Sequence, residues 1–350
     1  MPRKRSEGAV TLSDVAQLAG VSLATASRAI NGSKDRSVAE ELATRVREAA
    51  QMLGYEPDAN AQAMARGATQ TIGVAVNDLT DPYFAAIAGG MTDACLDRGM
   101  FLTLASTGNQ LDRLPEVVRS LDSLRVRAIL LTGGRWRTSG IGDDLSEAIR
   151  RYISRGGRLV TVGVRLPGID RVLIDNEGGS ARLAQALWEC GYRRPIVLTG
   201  PEMHSTATVR AQAFLARARE LGCRIPPENQ IVSDYTRAGG QEAMRLALES
   251  GLKGDIVVAT NDVMALGAMR QARQAGVAVG TELGFAGFGD IAGLEDAVPT
   301  LTTVRVLKEE MGRQSVALAV TGPGDGTGEI NLPTTVVLRD STPRRTGRPA

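Results

Sequence analysis

Apolar positions in the first 55 residues recur at helical spacing only. Leu12, Val15, Ala16 and Ala19 form one stripe, with Thr11 and Asp14 ahead of it in capping-box spacing and Gly20 closing it. Ser22 can cap a second helix that turns Ala26, Ala29 and Ile30 inward, and Asn31-Gly32 ends it with two residues that tolerate a left-handed backbone. Val38, Leu42, Val46, Ala49 and Leu53 space a third helix up to Gly54. The next stretch is short, alanine-rich and poor in large apolar residues, a linker with helical potential.

From Thr71 the rhythm changes to short apolar runs alternating with amphipathic stretches, the sign of parallel sheets covered by helices. One series runs TIGVAV, a helix near Tyr83 to Arg98, FLTLAS, RAILLT and RLVTVGV. A second runs VLID, RPIVLTG, a helix near Thr208 to Leu221, QIVS, DIVVAT, a helix from Asn261 to Gly276, and LGFAGF. Two such series make two α/β lobes. The expected organisation is an N-terminal all-α headpiece (1–56), a hinge (57–70) and a two-lobed α/β core (71–340). Within the core the N-lobe takes about 71–170 and 304–331, and the C-lobe about 171–303 and 332–340. The Pro/Gly/Arg-rich end reads as a disordered tail (341–350).

Composition narrows the chemistry. With 41 Lys and Arg against 39 Asp and Glu in 350 residues, net charge alone predicts no nucleic-acid partner, so any such partner must be argued locally. Three scattered cysteines and a lone His204 give neither a disulfide frame nor zinc spacing, and no cofactor or metal is implied. The basic N-terminus lacks an apolar run behind it, which reads as a cytoplasmic chain without a membrane partner.

A helix, a glycine turn and a second helix with a small polar first turn fit helix-turn-helix geometry, in which the second helix enters the DNA major groove. Ala16, Ala19, Gly20 and Ala26 leave crossing room for the two helices, while Leu23, Ala24, Thr25, Ser27 and Arg28 face outward. Residues 1 to 36 carry six basic and three acidic side chains, a modest local excess. On pattern alone, a three-helix unit that binds protein competes with this reading.

TLSDVAQLAGVSLATASRAING, followed by LGYEPDANAQAMA, closely resembles the headpiece and hinge of the lactose-repressor (LacI/GalR) family of bacterial transcription regulators. The resemblance implies a cytoplasmic homodimer that reads a near-palindromic operator in double-stranded DNA. It puts Leu23, Ala24 and Arg28 at base edges, Ser22, Thr25 and Asn31 at phosphates, and Met64 at the position of a minor-groove wedge. Ala26 stands for the family's usual valine, and Asp58 for an asparagine.

The resemblance continues through DPYF, STATVRAQAF, TNDVMALGAMR and PTLTTVR into a periplasmic-binding-protein-like core, which implies a small-molecule effector in a cleft beyond the strand ends. On matched positions Asp81, Tyr83, Phe84, Arg210, Tyr235, Asn261 and the Gly289-Asp290 pair face that ligand. For Asp262 a helix cap competes with a ligand role, for Tyr83 and Phe84 a place in the core, and for the loop residues Arg135 and Trp136 plain solvation. Gly289 replaces an aspartate that many members aim at sugar hydroxyls. Losing that carboxylate removes repulsion toward an anion, and with Arg210 and Arg165 it tilts the expectation toward a sugar acid, gluconate-like, with neutral sugars and polyols still open.

Two rival functions have weaker footing. GFGDIAG offers a glycine-rich phosphate loop for a dinucleotide-dependent enzyme, but no helix opens after it in the pattern. A transport-type solute-binding protein would share the lobes but not the headpiece. The expectation is a DNA-binding repressor rather than an enzyme.

Overall fold

The computed structural model describes residues 10–31, 38–56, 69–133, 142–322 and 328–345. The chain divides into two compact units, Met1–Gln70 and Thr71–Ala350. The basic arm, Gly32, Met64 with most of the expected hinge, Arg135, Trp136, residues 346–350 and the Asn31 side chain lie outside the described residues.

The first unit contains α1 (Leu12–Leu18), α2 (Leu23–Asn31) and α3 (Glu40–Leu53). Its caps are those the sequence supplies. The Asp14 N–H donates to Thr11 Oγ1, and the Thr11 N–H donates to the Asp14 carboxylate at 2.9 Å. Gly20 takes φ +65°, and Arg45 Nη2 on α3 donates to the Ala19 carbonyl at 2.6 Å, tying the turn to the third helix. Ser22 Oγ accepts the Thr25 N–H at 3.1 Å and starts α2. Val15, Ala16, Ala19, Ala26, Val46 and Ala49 form the core. Val15 and Val46 are fully buried, each stabilising the unit by about 1.5–3 kcal/mol relative to exposure.

The second unit holds two parallel sheets. The larger contains β1 (Thr71–Val76), β2 (Phe101–Ser106), β3 (Ala128–Thr132), β4 (Arg158–Val162), β5 (Asp170–Ile174) and β11 (Glu329–Leu332), in the order β11-β5-β4-β3-β1-β2. The smaller contains β6 (Pro195–Thr199), β7 (Gln230–Val232), β8 (Ile256–Ala259) and β9 (Gly284–Ala286), in the order β7-β6-β8-β9. An antiparallel pair, β10 (Thr303–Val306) and β12 (Thr334–Val337), lies where the chain passes between the lobes. Central strands such as AILLT of β3 are buried along their whole length, as helices on both faces require.

The lobe boundary differs from the expected one. β5, read with the second series, pairs with β4 through Val162↔Val172 and with β11 through Ile330↔Val172, so the first lobe runs to Ile174. An isolated apolar run of four residues does not state which sheet it joins.

Helices α4 (Pro82–Leu96), α5 (Leu114–Ser123), α6 (Asp143–Ser154) and α11 (Lys308–Thr321) belong with the first sheet. With the second go α7 (Asn176–Glu189), α8 (Ser205–Glu220), α9 (Arg237–Glu249) and α10 (Asp262–Gln274). Each lobe has one helix pair crossing backbone to backbone. A Cβ at Gly90 of α4 would strike the Glu309 carbonyl of α11, and one at Gly267 of α10 would strike the Arg237 carbonyl of α9.

The expected tail is ordered as far as Arg345. Ser341 and Thr342 are buried, Phe285 N–H donates to the Ser341 carbonyl, and Ser341 Oγ donates to the Phe285 carbonyl at 2.6 Å. Arg345 lies over the Tyr192 ring at 4.8 Å and donates to the Asp255 and Glu282 carbonyls. The segment covers the β9 edge, and composition read as disorder missed that pairing.

Candidate functional site

On the first unit, α2 presents a mixed surface. Leu23 is 53% exposed, Ala24 and Arg28 are exposed, and Thr25 and Ser27 are half-buried, while Ala26 between them is completely buried. The helix is thus divided into a core side and an outward side carrying the residues the sequence put there. Ser22 Oγ also lies 2.8 Å from Thr25 Oγ1, so two hydroxyls sit together at the helix start.

In the second unit a cavity of about 920 Å³ opens at the carboxyl ends of both sheets. Its walls come from the loops and helix starts just after the strands, because a parallel strand delivers its next residues to the same edge where the next helix begins. Asp81 caps α4 by accepting the Tyr83 N–H at 2.9 Å, His204 Nδ1 caps α8, Thr236 caps α9 and Asn261 Oδ1 caps α10. All four line the cavity. Several helix N-termini therefore converge on it, a field that favours negative charge or oxygen-rich ligands.

Arg210 is the central charge. It is 4% exposed; its Nε donates to Asn176 Oδ1 at 2.7 Å, and its Nη1 to the Thr260 carbonyl at 2.9 Å and Tyr235 Oη at 3.3 Å. Its guanidinium stands 3.8 Å from the Phe288 ring centroid. All these partners are uncharged, and Arg210 forms no ion pair among the described residues. A buried cation ordinarily has an anionic partner.

Tyr235 has φ +71°; it packs on His204 with ring centroids 4.0 Å apart and donates to the Thr260 carbonyl. Asn261 Nδ2 donates to the Tyr235 carbonyl at 2.9 Å, which holds that unusual backbone in place. Both ends of the Asn261 amide thus engage protein, although the residue lines the cavity. Tyr83 and Phe84, in edge-to-face contact, line the cavity from α4, and Tyr83 also packs against the core. Burial pushes the Asp81 carboxyl above its ordinary value and the Tyr83 phenol up to about 12, each moderated by the charge of Arg210.

Three expectations fail. Gly289 and Asp290 do not line the cavity; Phe288 and Ile291 on either side do. Gly289 N–H joins the Val304 carbonyl, and Asp290 turns away to Arg305 at 2.6 Å and Arg339 at 2.8 Å. Burial works against the Asp290 charge, but those two arginines hold its carboxyl below the ordinary range. Arg165 pairs with Glu329 at 3.1 Å, outside the large cavity, and supplies no charge to it. Asp262 does not cap its helix. Its carboxylate accepts from Thr303 Oγ1 at 2.5 Å and Ile291 N–H at 3.0 Å, fixing the loop that carries Phe288 and Ile291. Next to it Lys308, also buried, donates to the Gly289 and Asp290 carbonyls.

Sequence reasoning missed Asn77, Asn109, Asn176, His204 and Phe288 as cavity residues. Asn77 directly follows the TIGVAV run, and Asn176 comes two residues after the β5 strand, so applying the strand-end rule to every run would have found both. After GFGDIAG no helix opens until Lys308, so a phosphate-loop geometry is absent there.

The family described as "Bacterial regulatory proteins, lacI family" matches residues 11–58, and the periplasmic binding protein-like domain matches residues 184–342. A ribose operon repressor of Escherichia coli strain K12 is 30% identical over 314 residues, 89% of this chain and 92% of that protein. The structure of a transcriptional regulator CelR in complex with cellobiose is 30% identical, covers 95% of this chain and 99% of its own, and superposes with a TM-score of 0.67. A lac repressor dimer bound to operator and an anti-inducer shares the fold, at 23% identity and a TM-score of 0.82, over 96% of this chain and all of its own. With the headpiece, the cavity and these relatives in agreement, the chain belongs to the LacI family of bacterial regulatory proteins, as a helix-turn-helix transcriptional regulator with a periplasmic-binding-protein-like core.

Proposed function

We propose that the protein is a homodimeric repressor of a near-palindromic operator, controlled by a small polyhydroxylated metabolite that carries a carboxylate, a gluconate-like sugar acid. The observation that carries the effector class is Arg210, a buried guanidinium with uncharged partners, facing a cavity ringed by helix N-termini. A ligand carboxylate would give that cation the anionic partner it lacks. Cellobiose, the ligand in the CelR complex, is hydroxyl-rich and supports a sugar-like body for the molecule.

On DNA, Arg28 is the side chain suited to a bidentate contact with guanine, and Leu23 and Ala24 to thymine methyl groups. Ser22, Thr25 and the first backbone amides of α2 suit phosphates, which set register. The roles of Asn31 at a phosphate and of Met64 as a minor-groove wedge rest on the resemblance of the sequence. A repressor structure of this fold that is a dimer on operator supports the two-fold assembly. So does β2, an edge strand among the described residues, where Phe101 is 68% and Leu104 41% exposed, with Leu96 of the preceding helix α4 at 62%.

The effector reading is tested by thermal shift of the full chain against aldoses, polyols and their aldonic acids, because stabilisation grows with occupancy. D-gluconate or a close aldonic acid raises the melting temperature most. Stabilisation by a neutral sugar alone, with no response to any sugar acid, would refute the carboxylate.

A further inference from the structure

The carboxamide of Asn77 is 5% exposed and lies on the first-lobe wall of the cavity, directly after β1. Its backbone carbonyl is well used, accepting from the Asn109 N–H at 2.8 Å and from the Ser106 hydroxyl at 3.3 Å. Its side chain has no hydrogen-bond partner among the described residues. Its donor and acceptor are not sealed from solvent, so the amide is free to be wetted or to meet a ligand in the cavity. The protein also makes room for it. Gly133, at the end of β3, has φ +134°, and a Cβ there would stand 2.5 Å from Asn77 Nδ2 and 2.7 Å from Oδ1. The bare glycine therefore lets the flat amide lie against the strand end with its donor and acceptor edge open to the cavity.

Arg210 and Asn176, on α8 and α7, are among the polar residues of the second-lobe wall and are hydrogen-bonded to each other. A carboxamide offers one donor and one acceptor side by side, the complement of two adjacent hydroxyls. We propose that Asn77 is a specificity-determining residue that reads a vicinal diol of the effector from the first lobe, while the second lobe holds its other end. The inference rests on the reading of the cavity as a site for a polyhydroxylated ligand, and not on the ligand's carboxylate. A ligand held from both walls binds an approximated pair of lobes better than a separated pair, which gives it the differential affinity that a switch needs.

The test is calorimetric titration of the full-length chain and of Asn77→Ala with C4 to C7 aldoses, polyols and aldonic acids, each paired with its deoxy counterparts. For at least one deoxy position, the wild type binds the hydroxylated parent about 10-fold or more tighter. Asn77→Ala weakens the parent by about 10- to 100-fold and the matching deoxy ligand little, so the discrimination disappears. Without ligand, the variant melts close to the wild type, because no protein partner is lost. Equal loss for parent and deoxy ligands, or a marked fall in the unliganded melting temperature, would assign Asn77 a structural role and overturn the inference; so would unchanged affinity. A wild type that binds neutral sugars but no aldonic acid refutes only the carboxylate, and the deoxy comparison then decides on the neutral sugar. A wild type that binds nothing in the panel overturns both.

Discussion

The Asp262 carboxylate occupies the space that a side chain at Gly289 would need. A Cβ at Gly289 would stand 3.0 Å from Asp262 Oδ2, on a backbone with φ +138°. Gly289 is therefore more than a family aspartate lost. It belongs to a different arrangement, in which Asp262 fixes the loop and Lys308 holds the Gly289 and Asp290 carbonyls.

Restoring the family residue does not restore a ligand contact. Gly289→Asp places a second carboxylate beside Asp262 and forces a side chain onto a backbone that L residues avoid, for a loss of about 2–4 kcal/mol in unfolding free energy. Urea denaturation measures it. An unchanged midpoint, together with a gain in neutral-sugar affinity, would show that the loop readily adopts the family geometry.

Asp262 also sets a pH dependence. Burial raises its carboxyl to about 6 from an ordinary 3.8, against the hydrogen bonds from Thr303 and Ile291, with Asp290 adding to the rise and Lys308 opposing it. The folded chain thus keeps a proton that the unfolded chain releases. This contribution is fully present below about pH 4 and lost as pH rises through about 6, by roughly 3 kcal/mol in all. Asp290 runs the other way, its contribution lost only as pH falls below the ordinary carboxylate range. Relative to the wild type, Asp262→Asn should therefore gain stability between about pH 4 and 7. Parallel stability curves would remove the buried charge from the account.

Arg28→Ala should cost about 1–3 kcal/mol in discrimination between operator and a site altered at the base Arg28 reads. Anisotropy titrations at fixed salt separate this from a phosphate contact, whose loss weakens all sequences alike and lowers the salt slope. Unchanged discrimination would take Arg28 off the base edges.

The exposed apolar edge predicts that Phe101→Glu yields single chains at concentrations where the wild type is a dimer, as read by light scattering. The charged edge opposes strand-to-strand and apolar contact alike. A variant that stays dimeric moves the interface elsewhere.

Local signals carried much of this molecule. Thr11 with Asp14, Ser22 and Gly54 state the headpiece helices because caps are chemistry between near neighbours. Arg210, Tyr235, Tyr83 and Phe84 were named from the family resemblance on matched positions, and all four line the cavity. Asp290 was misplaced because its direction depends on Arg305 and Arg339, which arrive from distant crossings. The pairing of β5 with β11 and the ordering of Ser341 to Arg345 likewise depend on contacts over more than fifty residues of chain. The open amide of Asn77 shows only in three dimensions, since an asparagine after a strand reads equally well as a turn.

The central claim, that a ligand in the cavity sets DNA affinity, is tested by operator binding with and without effector. The duplex is selected from a random pool by the full-length chain, and wild type is compared with Arg210→Ala. The selected sequence should be near-palindromic, effector should shift the wild type's affinity about 5- to 150-fold, and Arg210→Ala should show no shift while binding the duplex without effector as the wild type does. An effector that binds the wild type yet leaves its operator affinity unchanged, or an Arg210→Ala chain that still responds, would contradict that claim.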